Sequence, residues 1–170
     1  MAPLRRTTLA PRGHTPALLV RGRHREKVSV AAALWKTPGC GLARVHYRTY
    51  PNGHVGAGSY AEFLEELLER RLPRRPVVVV HDGGTTHRGE PVEELADDFE
   101  RLLGLHLLPP YAPMLNPVEQ LWDWLKYGEL PNFAPEDVPH LDSVVNARLF
   151  GLHRDQPRLR TFLTSTPLRW

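Results

Sequence analysis

Apolar and polar positions alternate with a period of two in several short segments, which is the pattern of β-strands. This alternation covers Lys27 to Leu34 and Leu42 to Tyr50, and a short apolar run at Ala17 to Val20 predicts a strand before them. The three segments together predict an antiparallel meander. Two continuous apolar runs, Pro76 to His81 and Leu105 to Leu108, are instead typical of parallel strands covered on both faces.

Apolar residues recur at helical spacing in four other segments. The first helix is expected to start at a capping box formed by Ser59 and Glu62 and to end near Arg71. The second is expected to stop at Gly104, and the third to begin after an Asn116 cap. The last three helices are predicted over residues 91–103, 117–128 and 141–152. Antiparallel strands followed by alternating helices and strands predict an α/β fold with a mixed sheet flanked by helices.

A chain of 170 residues with 41% apolar and 24% charged residues has the composition of one globular domain. We predict a single domain over residues 1–170, with a C-terminal tail from about residue 153 to residue 170. Cys40 is the single cysteine, which excludes an internal disulfide framework and favours a reducing compartment. Apolar stretches are too short to cross a bilayer, and the N-terminus does not have the pattern of a secretory signal. We therefore expect a cytoplasmic protein without membrane contact.

Positive charge is concentrated in the first third of the chain. Residues 1–60 hold ten Lys or Arg and a single acid, for a net charge of +9, whereas the remaining residues carry a net charge of −6. Arginine forks onto phosphate oxygens and releases counterions on binding, so this asymmetry predicts a polyanionic partner. An arginine-rich solvated surface is the alternative. The candidate binding residues are Arg5, Arg6, Arg12, Arg21, Arg23, Arg25 and Lys27.

Two acids at the ends of predicted elements are candidates for chemistry. Asp82 follows the first continuous apolar strand, and Glu119 lies in the first turn of the helix capped by Asn116. Ligands collect at the carboxyl ends of parallel strands, so the two side chains are expected to face each other. Converging carboxylates are oxygen ligands for Mg²⁺ or Mn²⁺, and a metal pair so held supports phosphodiester cleavage. As structural alternatives, Asp82 serves only as a turn residue and Glu119 only as a reciprocal cap.

Three segments resemble the DDE transposases of the mariner-like and related bacterial insertion-sequence groups. The most specific is Leu107 to Lys126, LLPPYAPMLNPVEQLWDWLK, which is similar to the block that carries the third acid of those enzymes. Val77 to His87, VVVVHDGGTTH, resembles the strand and turn that carry their middle aspartate. Ala10 to Pro16, APRGHTP, resembles the stretch after their first strand, although Leu9 replaces a Trp. The similarity therefore extends over nearly the whole chain.

The resemblance implies a ribonuclease H-like fold, in agreement with the mixed sheet predicted from the pattern. It implies that Asp82 is the second catalytic and metal-binding acid and that Glu119 is the third, while Asn116 and Pro117 position the helix. Members of this family use two divalent ions, Mg²⁺ or Mn²⁺, to cut DNA strands at element ends and to join the 3′ hydroxyls to target DNA. The implied function is DNA transposition, with DNA as partner and a homo-oligomer as an expected assembly.

The chain departs from this family at its first acid. No Asp or Glu precedes Glu26, so the first strand and its catalytic Asp are expected to be missing or incomplete. Such a loss leaves an exposed sheet edge or a central gap, and we expect metal binding and catalysis to be reduced or lost. An Asp encoded about a dozen residues upstream of Leu9 would complete the site, whereas Glu26 is a weaker substitute. Gly83 also stands where the family frequently has Asn. We further expect the N-terminal helix-turn-helix module of the family to be missing.

Two non-enzymatic functions remain as alternatives: a DNA-binding remnant without turnover, and an oligomerisation partner of a full-length transposase. A different kind of site is suggested by His81 and His87, which flank Asp82. These side chains either complete a His/Asp metal site or serve in packing and at the surface.

Overall fold

Strands of both orientations occur in the computed structural model, which describes residues 7, 9–17, 26–71 and 76–168. β1 (Val28–Lys36) and β2 (Ala43–Pro51) pair antiparallel over their full lengths. β3 (Val77–His81) and β4 (Leu103–Leu107) pair parallel, also in register over their full lengths. The mixed orientation predicted from the sequence is therefore present, but among the described residues it is divided between two separate two-stranded sheets.

The predicted strands are confirmed at four of five places. β1 and β2 lie within two residues of their predicted bounds, and the two continuous apolar runs form the parallel pair. The run at Ala17 to Val20 falls mainly outside the described residues. The expectation that β3 is covered on both faces is wrong at Val78, which is 64% exposed. Val77 and Val79 pack on one apolar cluster, and the intervening side chain points to the other face of the strand.

Five helices surround these strands in the described part of the chain: α1 (Ala57–Arg71), α2 (Glu90–Asp98), α3 (Pro117–Asp123), α4 (Val138–Leu152) and α5 (Gln156–Thr164). α3 continues as a π-helical segment from Trp124 to Glu129. None of the described helices is long and apolar enough to span a membrane. The helix α5 lies in the segment that the sequence pattern left as a tail, and its Leu159 and Phe162 are buried.

Two predicted helix boundaries are wrong for physical reasons. α1 starts at Ala57 rather than at a Ser59 cap, because the Gly56 carbonyl already accepts the backbone N–H of Tyr60 at 2.9 Å. α2 ends at Asp98, well before the predicted stop at Gly104. Gly104 instead pairs with Val78 in the parallel ladder, so strand pairing overrides the helical spacing of the preceding apolar residues.

The buried side chains form two clusters that meet at the antiparallel sheet. One joins β2 to α3, α4 and α5 and contains Val45, Leu121, Leu149 and Leu159. The other joins α1 and α2 to the parallel pair and contains Phe63 and Leu95 among others. Alternation along β2 explains the arrangement, because Val45 faces the first cluster while the neighbouring His46 stacks on Phe63.

Candidate active site

The two acids singled out from the sequence border the same two cavities. Asp82 directly follows β3, and Glu119 lies in the first turn of α3, after β4. Both side chains line a cavity of about 470 Å³ and a second one of about 690 Å³. The fold thus brings together two carboxylates that are far apart in the sequence, as expected for elements that end at the same edge of a parallel pair.

The Asp82 carboxylate is oriented by its own loop. Its Oδ1 accepts hydrogen bonds from the Gly84 backbone N–H at 2.9 Å and from His87 Nδ1 at 2.8 Å. The same His87 nitrogen lies 3.2 Å from the Asp82 carbonyl oxygen. Since both of these oxygens are acceptors, Nδ1 must carry the proton. No described residue hydrogen-bonds to Oδ2, which leaves this oxygen available to a ligand.

The Tyr60 ring of α1 packs against the His87 ring. Tyr60 lies 4.4 Å from the His87 ring and 5.8 Å from the His81 ring, measured between ring centroids. Burial, with a smaller contribution from the Asp82 charge, strongly raises the pKa of Tyr60, so its hydroxyl stays protonated. Burial and the neighbouring His87 lower the pKa of His81. These contacts are those of packing, and no group of three metal-ligating side chains occurs among the described residues.

Glu119 is presented by a well-capped helix start. Asn116 Oδ1 accepts the backbone N–H of Val118 at 3.1 Å, and Pro117 occupies the first helical position. The expected roles of Asn116 and Pro117 in positioning this helix therefore have a direct structural counterpart. The Glu119 side chain makes no hydrogen bond with the described residues, so it does not serve as the reciprocal cap that the sequence left as an alternative.

Sequence reasoning missed two further residues of the larger cavity, Arg88 and Tyr111. Arg88 follows the short turn of residues 85–87, and its guanidinium lies against Gly83: a β-carbon on that glycine would lie 2.6 Å from Nη2. The Arg88 guanidinium therefore occupies the space that a side chain at position 83 would fill. Tyr111 is 100% exposed in a turn rich in proline. The proline spacing identified that turn in the sequence, but not the direction of the ring.

The smaller cavity is lined by both β1 and β3, which belong to different sheets. Glu26, the weaker substitute for a third acid, is not among the described residues that line either cavity. Asp82 and Glu119 supply hard oxygen donors suited to a divalent cation, but the described residues bring no third carboxylate to them.

Only two of the predicted DNA-binding residues fall within the described part of the chain. Arg12 and Lys27 are exposed there. The remaining five, Arg5, Arg6, Arg21, Arg23 and Arg25, lie outside the described residues, so their role stays a prediction.

The fold and the comparisons define the class of this protein. Its α/β architecture is that of ribonuclease H-like transposase catalytic domains, since the chain matches a Mos1 transposase paired-end complex with the left transposon end. That match has a TM-score of 0.59 and 17% identity, and it covers 96% of this chain and 51% of the Mos1 chain. The sequence profile described as DDE superfamily endonuclease matches residues 1–141. The chain therefore belongs to the DDE superfamily of endonucleases, whose members act with divalent metals.

Two further solved structures show the same fold. A Mos1 mariner paired-end complex with Mn gives a TM-score of 0.59 at 17% identity, covering 95% of this chain and 48% of that one. A Mos1 strand transfer complex gives 0.54 at 20% identity, covering 96% and 50%. The chain thus spans about half the length of these transposases. Among curated proteins, none matches it significantly.

Proposed function

We propose that this chain is a transposase-type domain that acts on DNA phosphodiesters at a divalent-metal site formed by Asp82 and Glu119. One observation carries the proposal: carboxylates from two separate elements line the same two cavities. Membership of the DDE superfamily supports it, and the matched Mos1 structures include a paired-end complex with the left transposon end and a strand transfer complex. DNA ends and target DNA are the corresponding partners, and DNA transposition is the corresponding process.

Asp82 would bind the cation through Oδ2, because Oδ1 is already occupied by hydrogen bonds from its own loop. Glu119 would bind through a carboxylate that no described residue engages. When bound, Mg²⁺ or Mn²⁺ supplies an activated water and stabilises the leaving oxygen in phosphodiester hydrolysis. An intact site holds two ions, and the third carboxylate that this requires is missing from the described residues. We therefore propose weak cation binding and slow cleavage by the chain alone.

A second candidate function is DNA binding without turnover. The specific observation in its favour is the same incomplete ligand set, since only two acids of the described chain meet at the cavities. The exposed Arg12 and Lys27, together with the arginines of the first 25 residues, would supply phosphate contacts in either case.

Plasmid nicking in Mn²⁺ separates the two functions. The variants are Asp82→Asn, Glu119→Gln and, as a matched control, Asp123→Asn, which changes an exposed acid on the same helix. We expect slow nicking by the wild type and by the control, and loss of nicking in the other two variants. Equal background in all four proteins would instead favour binding without turnover.

Duplex binding at increasing salt, in EDTA, tests the DNA partner itself. Phosphate contacts weaken steeply with salt, so the logarithm of the affinity should fall linearly with the logarithm of salt concentration. A chain that binds no duplex at low salt would contradict both functions and leave only a role as a partner of another transposase subunit.

A further inference from the structure

Tyr111 has a conformation and an exposure that packing does not explain. Its φ of 59° lies in the left-handed region, which bulky residues rarely adopt. Its side chain is 100% exposed, so no buried contact within the described chain offsets that conformation. Pro109 and Pro110 precede it and Pro113 follows, which restricts the turn around it. Backbone strain of this kind concentrates at ligand-binding sites.

The cavity beside Tyr111 combines an arginine with the two carboxylates. Asp82, Arg88, Tyr111 and Glu119 all line the space of about 690 Å³. The Arg88 guanidinium rests against the backbone at Gly83, next to Asp82, and it forms no ion pair with the described residues. An exposed aromatic ring and an available guanidinium therefore flank the proposed metal site.

These groups match the chemistry of a nucleotide. An aromatic ring stacks on the face of any base, and a guanidinium forks onto phosphate oxygens. Inside a duplex both faces of a base are covered by the neighbouring base pairs, so such a base presents a face only when it leaves the stack. We propose that Arg88 and Tyr111 form a nucleotide-binding subsite, in which Tyr111 stacks on an unpaired base and Arg88 binds an adjacent phosphate. This inference rests on the proposed DNA function and assigns the contacts next to the metal site.

Fluorescence binding assays in EDTA test the subsite without cleavage. One probe is a short duplex with a single-stranded 3′ overhang that carries 2-aminopurine, and the other is the blunt duplex. Tyr111→Asn removes the ring while keeping a residue that tolerates positive φ, and Tyr111→Phe keeps the ring. Phe150→Ser is the matched control, because Phe150 is an exposed aromatic on α4 that lines neither cavity.

We expect Tyr111→Asn to bind the overhang probe about 5- to 150-fold more weakly and to lose the quenching of 2-aminopurine. Tyr111→Phe and Phe150→Ser should bind this probe within about threefold of the wild type. For the phosphate contact, Arg88→Gln should lower the slope of log affinity against log salt by about one, whereas Arg154→Gln, outside both cavities, should leave it unchanged.

Two results would overturn the subsite and leave the DNA function standing. In the first, Tyr111→Asn binds the overhang probe as the wild type does. In the second, it weakens overhang and blunt probes equally, which would show that no unpaired base is stacked. A wild type that binds neither probe would overturn the proposed DNA function together with the subsite.

Discussion

Adding one methyl group at Gly84 should change the orientation of the Asp82 carboxylate and leave the stability of the fold nearly unchanged. Gly84 has φ −56° and ψ 150°, a conformation that alanine adopts without strain. Its obstacle is the Asp82 carboxylate, because a β-carbon at position 84 would lie 2.9 Å from Oδ1. The carboxylate must move away in Gly84→Ala, and it then loses its present hydrogen bonds.

The cost to folding is small and partly offset. Each of the two hydrogen bonds to Oδ1, from Gly84 and His87, contributes about 0.5–1.5 kcal/mol. The Asp82 side chain is 49% exposed, so water replaces much of each bond and the lower end of that range applies. Replacing glycine by alanine in a compatible conformation returns about 0.4–1 kcal/mol by restricting the unfolded chain. We therefore expect the free energy of unfolding to change by less than about 1 kcal/mol.

Cation affinity should respond far more than stability. Loss of the contacts that orient a metal ligand lowers affinity about 10- to 100-fold, equivalent to about 1.4–2.7 kcal/mol. Calorimetric titration with Mn²⁺ measures this change, and urea unfolding measures stability. The control is Gly58→Ala in α1, where a β-carbon meets nothing within 4 Å. That variant should be more stable by about 0.5–1 kcal/mol, with unchanged Mn²⁺ affinity.

Unchanged Mn²⁺ affinity in Gly84→Ala would refute the reasoning that the orientation of Asp82 matters. A wild type that binds no Mn²⁺ would refute the metal site itself, whatever the behaviour of the variant.

Two predictions concern the helices that close the fold. Leu149→Ala, at a fully buried position of the first cluster, should lower the free energy of unfolding by about 2–5 kcal/mol. Phe150→Ala, at the exposed next position, should change it by about 0.5 kcal/mol or less. Equal free energies of unfolding for the two variants, measured with urea, would contradict this assignment of the core. Hydrogen bonds from Arg158 lower the pKa of the Asp155 carboxyl at the start of α5. The resulting stabilisation is present above the ordinary carboxyl pKa and is lost as the pH falls through the lowered value, so Asp155→Asn should flatten the acid side of a stability profile. A profile identical to that of the wild type would argue against this pair.

Local periodicity identified most elements because their apolar faces repeat within a few residues. The strands β1 and β2 and the start of α3 follow directly from alternation and from the Asn116 cap. Asp82 and Glu119 could be paired from sequence because each follows a strand of a parallel pair, and such strand ends share one edge.

Where two local signals compete, contacts from distant residues decide. The helical spacing of apolar residues predicts a helix up to residue 103. Leu103 and Gly104 instead pair with Val77 and Val78, and this pairing gives the backbone N–H and C=O groups of both strands hydrogen-bond partners. α5 was missed for a related reason, since its short amphipathic pattern becomes stable only when Leu159 is buried against the strand β2 and neighbouring helices.

The sequence by itself determined the order of the elements from β1 to α4, the charge asymmetry and the two acids. Only the tertiary structure decided which oxygen of Asp82 is held by His87, where the Arg88 guanidinium lies beside Gly83, and that the Tyr111 ring faces solvent. The physical reason is that periodicity reports which face of an element is buried. The direction of a polar or exposed side chain depends on partners that are brought near it only by folding.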